Sequence, residues 1–243
     1  MKKVNDMAQY SALAMPHIRA KAVTNCFDSP SQLNDEINNN RLFYEKGSDY
    51  LLLFYKRDGF YKLKFYAQQN STPVYDTNER MVCEIASKGG FEIYGGILNS
   101  LDFEKTGTRL RYTIPSLKGT DLLYTLCDTE IKDEQSDHGV ISSTFDKYTG
   151  CIPLGKITCL CAYKSGELAG VLHYLANEIC HLAVLPNFRS QGTAKALIYA
   201  LSSKTGKNIK VWTAHSNTAA RALYEKCGAV ADGYTSIIAQ KNF

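Results

Sequence analysis

The C-terminal part of the chain alternates short apolar runs with turn residues. Residues 157–163 and 168–175 have the length and composition of strands, and Gly166 lies between them. Glycine adopts the positive φ that a two-residue hairpin turn requires, so the sequence predicts an antiparallel pair of strands. A third apolar run, residues 178–185, ends at Pro186 and is predicted to be a strand buried on both faces.

Two stripes of apolar residues at helical spacing follow this third strand. The first stripe predicts a helix that packs one face on a sheet and ends at Gly206. Its members are Ala194, Leu197, Ile198 and Leu201. The second predicts a helix that is capped by Ser216 or Asn217 and ended by Gly228. Its members are Ala220, Leu223, Tyr224 and Cys227. With further strands expected at 209–213 and 234–239, the pattern predicts a mixed α/β layer on one central sheet.

The first half of the chain shows similar patterns less clearly. Residues 51–55 and 61–66 flank a turn around Gly59 and predict another hairpin. The polar, acidic stretch 129–150 is interpreted as a link between the two halves. The remaining elements expected in this half are helices over 8–24, 30–40 and 91–101 and strands over 81–86 and 108–114.

Composition narrows the class of protein. A chain of 243 residues predicts one or two domains, and 44% hydrophobic with 21% charged residues excludes wholesale disorder. A net charge of +4 lacks the basic excess of a dedicated nucleic-acid binder. No apolar stretch approaches the roughly 20 residues of a membrane helix, and the basic N-terminus is followed by a polar run. We therefore expect a cytoplasmic protein.

The eight cysteines are scattered through predicted strands and helices. They lack the paired spacing of a zinc site, and the chain lacks the short, secreted character of a disulfide scaffold. Cys159 and Cys161 share one face of a predicted strand because side chains alternate with period two. We expect small buried side chains with reduced thiols, and no structural metal.

The feature most suggestive of chemistry is the segment from Arg189 to Ala194, between the third strand and the first helix. A helix N-terminus exposes unpaired N–H groups with a partial positive charge, which suits a phosphate group. Gly192 would let a phosphate approach the backbone, and Arg189 could add a charge-assisted hydrogen bond. A glycine at a helix start is also a common turn, so this segment alone leaves both interpretations open.

A second motif makes the pattern specific. The segment from Arg189 fits the phosphate-loop pattern [QR]-x-x-G-x-[GA], and the helix after the next strand fits N-x-x-A-x-x-L-Y-x-x-x-G. The matching residues of the second pattern are Asn217, Ala220, Leu223, Tyr224 and Gly228. In this order the two motifs resemble the GNAT superfamily of acyl-CoA-dependent N-acetyltransferases, over roughly residues 150–243. Cys227-Gly228-Ala229 replaces the usual Gly-Phe after the tyrosine helix, which does not affect the chemistry.

The resemblance implies a coenzyme site. Its fold would be a mostly antiparallel central sheet with helices on both faces, and acetyl-CoA would be the co-substrate. Backbone amides of the loop would hold the pyrophosphate, the splayed central strand would pair with the pantetheine arm, and Asn217 would lie beside that arm. Lys195 could also touch a phosphate. The implied coenzyme-binding residues are Leu182, Ala183, Val184, Arg189, Ser190, Gln191, Gly192, Thr193, Ala194, Lys195, Asn217 and Tyr224.

The resemblance also implies direct attack of an amine on the acetyl thioester. An ammonium group has a pKa of about 10.4, so a base must remove its proton before attack. Glu178 lies where some family members carry a carboxylate base, and it could equally be a solvated residue at the start of a strand. An N–H near Val184 would stabilise the oxyanion, and Tyr224 would protonate the departing thiolate. Tyr224 could alternatively be a core residue. His173 and His181 are interpreted as satisfied or substrate-facing side chains rather than metal ligands.

Residues 42–114 loosely repeat the same order of elements but contain no matching phosphate loop. We therefore predict a tandem of a degenerate GNAT-like domain, residues 1–128, and a GNAT acetyltransferase domain, residues 129–243. The acceptor would be a primary amine on a small molecule, peptide or protein, with no nucleic acid or membrane as partner. Two alternatives stay open: a non-catalytic acyl-CoA sensor, and an aminoacyl transferase with paired GNAT-like domains. The second would need a strongly basic groove, which a net charge of +4 disfavours.

Overall fold

The computed structural model describes residues 1–75, 77–116, 128–134 and 158–241. The chain divides into two compact units. Unit 1 comprises Met1–Arg109 with Tyr234–Phe243, and unit 2 comprises Leu110–Gly233. These units divide the chain at 109/110 and again at 233/234, and a domain boundary between residues 128 and 129 stays a prediction.

Unit 1 has strand order β1–β3–β4–β5–β6–β13–β7, with β2 paired to β5. Most neighbouring strands are antiparallel, and β5 and β6 are parallel. The last two strands in this order also extend into unit 2. The elements are β1 (Lys2–Lys3), α1 (Met7–Arg19), β2 (Val23–Thr24), α2 (Pro30–Asn38), β3 (Leu42–Lys46), β4 (Tyr50–Arg57), β5 (Phe60–Ala67), β6 (Met81–Ser87), α3 (Glu92–Ser100), β7 (Glu104–Ile114) and β13 (Val230–Lys241).

Helices cover both faces of the sheet in unit 1. Leu52 and Phe54 of β4 share a core cluster with Ile97 of α3, whereas Leu51 and Leu53 share another with residues of α1 and α2. Because side chains alternate along a strand, the uninterrupted apolar run of β4 is buried on both sides. The predicted hairpin around Gly59 is confirmed.

Unit 2 has strand order β7–β12–β11–β10–β9–β8. The neighbouring pairs β8–β9, β9–β10 and β10–β11 are antiparallel, whereas β11 and β12 are parallel. A 3₁₀ turn, Pro186–Phe188, follows β11. The elements are β8 (Glu130–Glu134), β9 (Thr158–Lys164), β10 (Glu167–Leu175), β11 (Glu178–Val184), α4 (Thr193–Thr205), β12 (Ile209–Ala214) and α5 (Thr218–Lys226).

Two apolar clusters lie on opposite faces of the sheet in unit 2. The larger includes Leu160, Leu172 and Tyr224, together with apolar residues of α4. The smaller contains Cys159, Cys161 and Val171. The prediction that both cysteines are buried on one strand face is confirmed. Among the described residues, Cys26, Cys83, Cys180 and Cys227 have free thiols, and Cys127 and Cys151 lie outside the described ranges.

Three sequence predictions need correction. The first helix ends at Arg19 rather than residue 24, because Val23–Thr24 pairs with β5. Part of the predicted link forms β8, which pairs with β9, while residues 135–150 lie outside the described ranges. The strand β11 was expected to be buried on both faces, but only Ile179 is fully buried, since its pairing with β12 stops there.

Candidate functional site

The loop 189–195, which joins β11 to α4, has the backbone form of an anion site. Ser190 and Gly192 both have positive φ, 61° and 82°. Gly192 is the N-cap of α4 and offers the helix no side-chain hydrogen bond. Within the described part of the chain, the amide N–H groups of residues 190–194 have no hydrogen-bond acceptor. These donors, at the positive end of the helix dipole, are available to a phosphate group.

Three interactions that sequence reasoning missed fix this loop. The buried ammonium of Lys164 donates to the Gln191 carbonyl at 3.0 Å and to Asp128 at 2.8 Å. The Thr193 hydroxyl, on a residue only 1% exposed, donates to the Phe188 carbonyl at 3.3 Å. The third is close packing against β10. A Cβ at Gly170 would lie 3.0 Å from the Ala183 carbonyl oxygen and 3.1 Å from Thr193 Cγ2, so only glycine fits there without a shift.

The edge of β11 that faces β12 is open beyond its first two residues. Parallel pairing joins Glu178 to Lys210 and Ile179 to Val211, and ends there. On the other side β11 is paired with β10 as far as Val184. Hydrogen-bonded pairs alternate along an antiparallel ladder, and Leu185 N–H donates to the Ala169 carbonyl. The backbone groups of Leu182 and Val184 therefore point to the open edge, while those of Ala183 point to β10.

The long side chains of the loop bind their own backbone. Arg189 Nε donates to the Val184 carbonyl at 3.1 Å, and Gln191 Nε2 donates to the Asn187 carbonyl at 2.7 Å. Lys195 Nζ lies 5.0 Å from the ring centroid of Tyr199. These side chains shape the loop, which leaves its backbone amides as the donors that face outward.

Tyr224 is a buried residue with an unused hydroxyl. It is 5% exposed, and its ring centroid lies 6.1 Å from that of Tyr112. No described residue forms a hydrogen bond with its hydroxyl. Burial, with a smaller contribution from Cys227, raises the pKa of Tyr224 to about 12. The phenol is therefore protonated across the neutral range and can act as a hydrogen-bond donor.

The cap of α5 is the one expected. The Asn217 side chain accepts a hydrogen bond from the Ala220 amide at 3.1 Å. At the other end, Gly228 has φ of 77° and Ala229 N–H donates to the Tyr224 carbonyl at 3.0 Å. This arrangement is a Schellman motif, and it ends the helix one turn after Tyr224.

Strands β10 and β11 carry a pair of histidines on the sheet face opposite to the one that bears Tyr174 and Ile179. His173 and His181 are cross-strand partners with ring centroids 5.8 Å apart. An extra residue in β11, Cys180, separates this pair from the pair formed by Tyr174 and Ile179. Glu178, the predicted base, begins β11 and is half-buried.

Unit 1 has a comparable opening between β5 and β6, and the side chain of Asn25 fills it. Parallel pairing of these strands spans Tyr61 to Leu63 only. Beyond it, the buried Asn25 amide accepts from Phe65 N–H at 2.8 Å and donates to the Glu84 carbonyl at 3.1 Å and the Leu63 carbonyl at 3.3 Å. The described residues between β5 and β6 contain no helix, so this part of unit 1 lacks the helix N-terminus found in unit 2.

Comparison with known proteins agrees with this geometry. Residues 127–237 match the family model for the GNAT acetyltransferase domain. This part of the chain is a GNAT acetyltransferase domain. No curated protein matches the sequence.

Solved structures share the fold over the whole chain. A tandem GNAT protein from the clavulanic acid biosynthesis pathway superposes with a TM-score of 0.65 at 7% identity, covering 99% of this chain and 97% of its own. A GNAT-family acetyltransferase from Colwellia psychrerythraea gives 0.58 at 14% identity, covering 100% and 99%. A GCN5-related N-acetyltransferase from Kribbella flavida gives 0.53 at 10% identity, covering 89% and 96%. At these identities the likeness establishes the fold: the predicted tandem GNAT architecture is confirmed.

Two further findings concern the described residues alone. None of their helices is long and apolar enough to cross a bilayer. No three His, Cys, Asp or Glu side chains among them come together in a way that could hold a metal ion.

Proposed function

We propose that the chain is an N-acetyltransferase that moves an acetyl group from acetyl-CoA to a primary amine by direct attack. The observation that carries this proposal is the set of unpaired amides of residues 190–194, next to the open edge of β11. A doubly charged pyrophosphate suits those amides, and an extended amide-containing arm suits a strand edge that lacks a partner.

The coenzyme would be bound mainly by backbone groups. The amides of residues 190–194 would hold the pyrophosphate, with Arg189 and Lys195 nearby to add charge. Leu182 and the N–H group of Val184 would pair with the pantetheine arm, because these groups face the open edge; the Val184 carbonyl already accepts a hydrogen bond from Arg189. Ala183 and Asn217 would have structural roles. The backbone groups of Ala183 pair with β10, and the Asn217 side chain caps α5.

Tyr224 would serve the leaving group. As the amine nitrogen bonds to the carbonyl carbon, the C–S bond breaks and its electron pair passes to sulfur. A phenol with a pKa of about 12 is a weaker acid than a thiol, whose reference pKa is about 8.5. Tyr224 therefore stabilises the departing thiolate chiefly as a hydrogen-bond donor. Of the two protons that the ammonium loses, one finally resides on sulfur and one is released to solvent.

Two measurements test the proposal on the full-length chain. Acetyl-CoA binding is measured by calorimetry, and release of free thiol is measured with a panel of primary amines such as phenethylamine, lysine and spermidine. We expect binding and amine-dependent thiol release. Binding without thiol release from any amine would instead indicate a non-catalytic acyl-CoA sensor, and the absence of binding would reject the site itself.

A further inference from the structure

Two ring nitrogens of a histidine pair on β10 and β11 are completely buried and have no hydrogen-bond partner among the described residues. They are the Nδ1 atoms of His173 and His181. His173 is 1% exposed. Burying an unpaired polar atom costs free energy, so two such atoms on facing rings point to a ligand or to a catalytic function.

The position of the pair relates it to the open edge. His173 is the cross-strand partner of Cys159 on β9. Cys159 belongs to the apolar cluster that includes Val171, and Ala183 packs against this cluster. This is the sheet face opposite the cluster that contains Ile179 and Tyr224. His181 immediately precedes Leu182, the first of the open-edge residues, whereas Glu178 lies where β11 and β12 are still paired. The pair therefore flanks the beginning of the opening, on the side away from Tyr224.

We propose that His173 and His181 accept the proton of the attacking amine; this inference rests on the N-acetyltransferase function proposed above. A thioester held along the open edge, with its sulfur toward Tyr224, exposes its carbonyl carbon to the opposite face. The amine approaches from that face and gives an N–H proton to an imidazole nitrogen, directly or through one water. The nitrogen lone pair then forms the N–C bond and the sulfur takes the C–S electron pair. The nitrogen's second proton passes through water to the sulfur, and the imidazolium returns its proton to solvent.

The surroundings suit a neutral imidazole. Burial, and to a smaller extent the neighbouring His173, lower the pKa of His181 below its usual value of 6.5. The other titratable groups on these strands and their neighbours are Cys159, Cys161, Tyr163 and Lys164 on β9, Glu167 and Tyr174 on β10, Glu178 and Cys180 on β11, and Lys210 on β12. At neutral pH His181 is thus able to accept a proton, as a general base must.

The experiment replaces each histidine by asparagine in the full-length chain. We expect His173→Asn and His181→Asn to lower kcat by about 100-fold or more, the usual size of a general-base contribution. Acetyl-CoA affinity should stay within about twofold, because the 189–195 loop is unchanged. The acidic limb of the pH–rate profile should disappear. The matched control, His215→Asn, changes an exposed histidine and should leave kcat unchanged.

Glu178→Gln separates this inference from the carboxylate alternative. If the pair is the base, Glu178→Gln should lower kcat by less than about tenfold. Wild-type rates in both histidine variants, or loss of the acidic limb only in Glu178→Gln, would overturn the inference and leave the acetyltransferase function standing. A wild-type chain that binds acetyl-CoA but releases thiol with no amine would overturn the proposed function and this inference with it.

A measurement on the unaltered chain covers the case in which a variant fails to fold. In protein with ¹⁵N-labelled histidine, imidazole resonances report protonation and tautomer for each ring. We expect the His181 ring to be neutral at pH 7 and the resonances of both rings to shift when an amine substrate is added to the acetyl-CoA complex. A His181 ring that is protonated at pH 7, or rings that do not respond to the amine, would contradict the inference.

Discussion

Asn25→Ala should destabilise the protein strongly, because Asn25 fills the opening between β5 and β6 in unit 1. The substitution leaves the Phe65 N–H and the Glu84 and Leu63 carbonyls without this partner, and both Phe65 and Leu63 are fully buried. An unsatisfied buried group costs about 1–3 kcal/mol. With the Phe65 donor and at least one carbonyl affected, we expect a loss of about 2–6 kcal/mol.

Urea denaturation followed by circular dichroism measures this loss as a lower midpoint at unchanged slope. The matched control is Asn34→Ala, an exposed position in α2, where a change within about 0.5 kcal/mol is expected. Acetyl-CoA should bind Asn25→Ala with unchanged affinity and a stoichiometry of one, because the loop belongs to unit 2. A midpoint equal to that of Asn34→Ala would refute the claim that Asn25 closes the opening.

Three further predictions follow from unit 2. Gly170→Ala should destabilise the chain by about 1–3 kcal/mol and weaken acetyl-CoA binding, because the added methyl group would crowd Ala183 and Thr193. The control is Gly95→Ala in α3, where an added Cβ has no atom within 4 Å. Equal stability and affinity in the two variants would contradict the packing argument. Tyr224→Phe should lower kcat by about 10- to 100-fold with coenzyme affinity and melting temperature nearly unchanged, and an unaltered kcat would reduce Tyr224 to a packing residue. Below pH 6.5 the unfolded chain binds a proton that folded His181 resists, so the free energy of unfolding should fall as the pH drops from 6.5 towards the lowered pKa of His181 and should level off below it. Urea midpoints at pH 5 and 7 should differ less in His181→Asn.

The local elements of unit 2 could be predicted from sequence because neighbouring residues determine them. Gly166 and Ser165 have the positive φ of a two-residue hairpin turn, and Asn217 caps its helix through the Ala220 amide three residues on. The loop at Gly192 was recognisable for the same reason. Its glycine directly precedes the apolar stripe of α4.

The contacts that complete the site depend on residues distant in sequence. Asn25 reaches Leu63, Phe65 and Glu84, which are 38 to 59 residues away, and nothing near Asn25 indicates those partners. Lys164 and the Gln191 carbonyl are 27 residues apart. The partial exposure of β11 was also missed, since an apolar run alone does not show where pairing with the next strand stops.

The most direct test of the central claim compares acetyl-CoA binding by the wild-type chain, Gly192→Asp and Gly192→Asn. A Cβ at Gly192 meets no atom within 4 Å, and both replacements impose the same strain at φ of 82°, so they differ only in charge. We predict that Gly192→Asn retains measurable affinity while Gly192→Asp loses it, because a carboxylate then faces the pyrophosphate. Equal affinities in the two variants would contradict the claim that the amides of residues 190–194 hold the coenzyme.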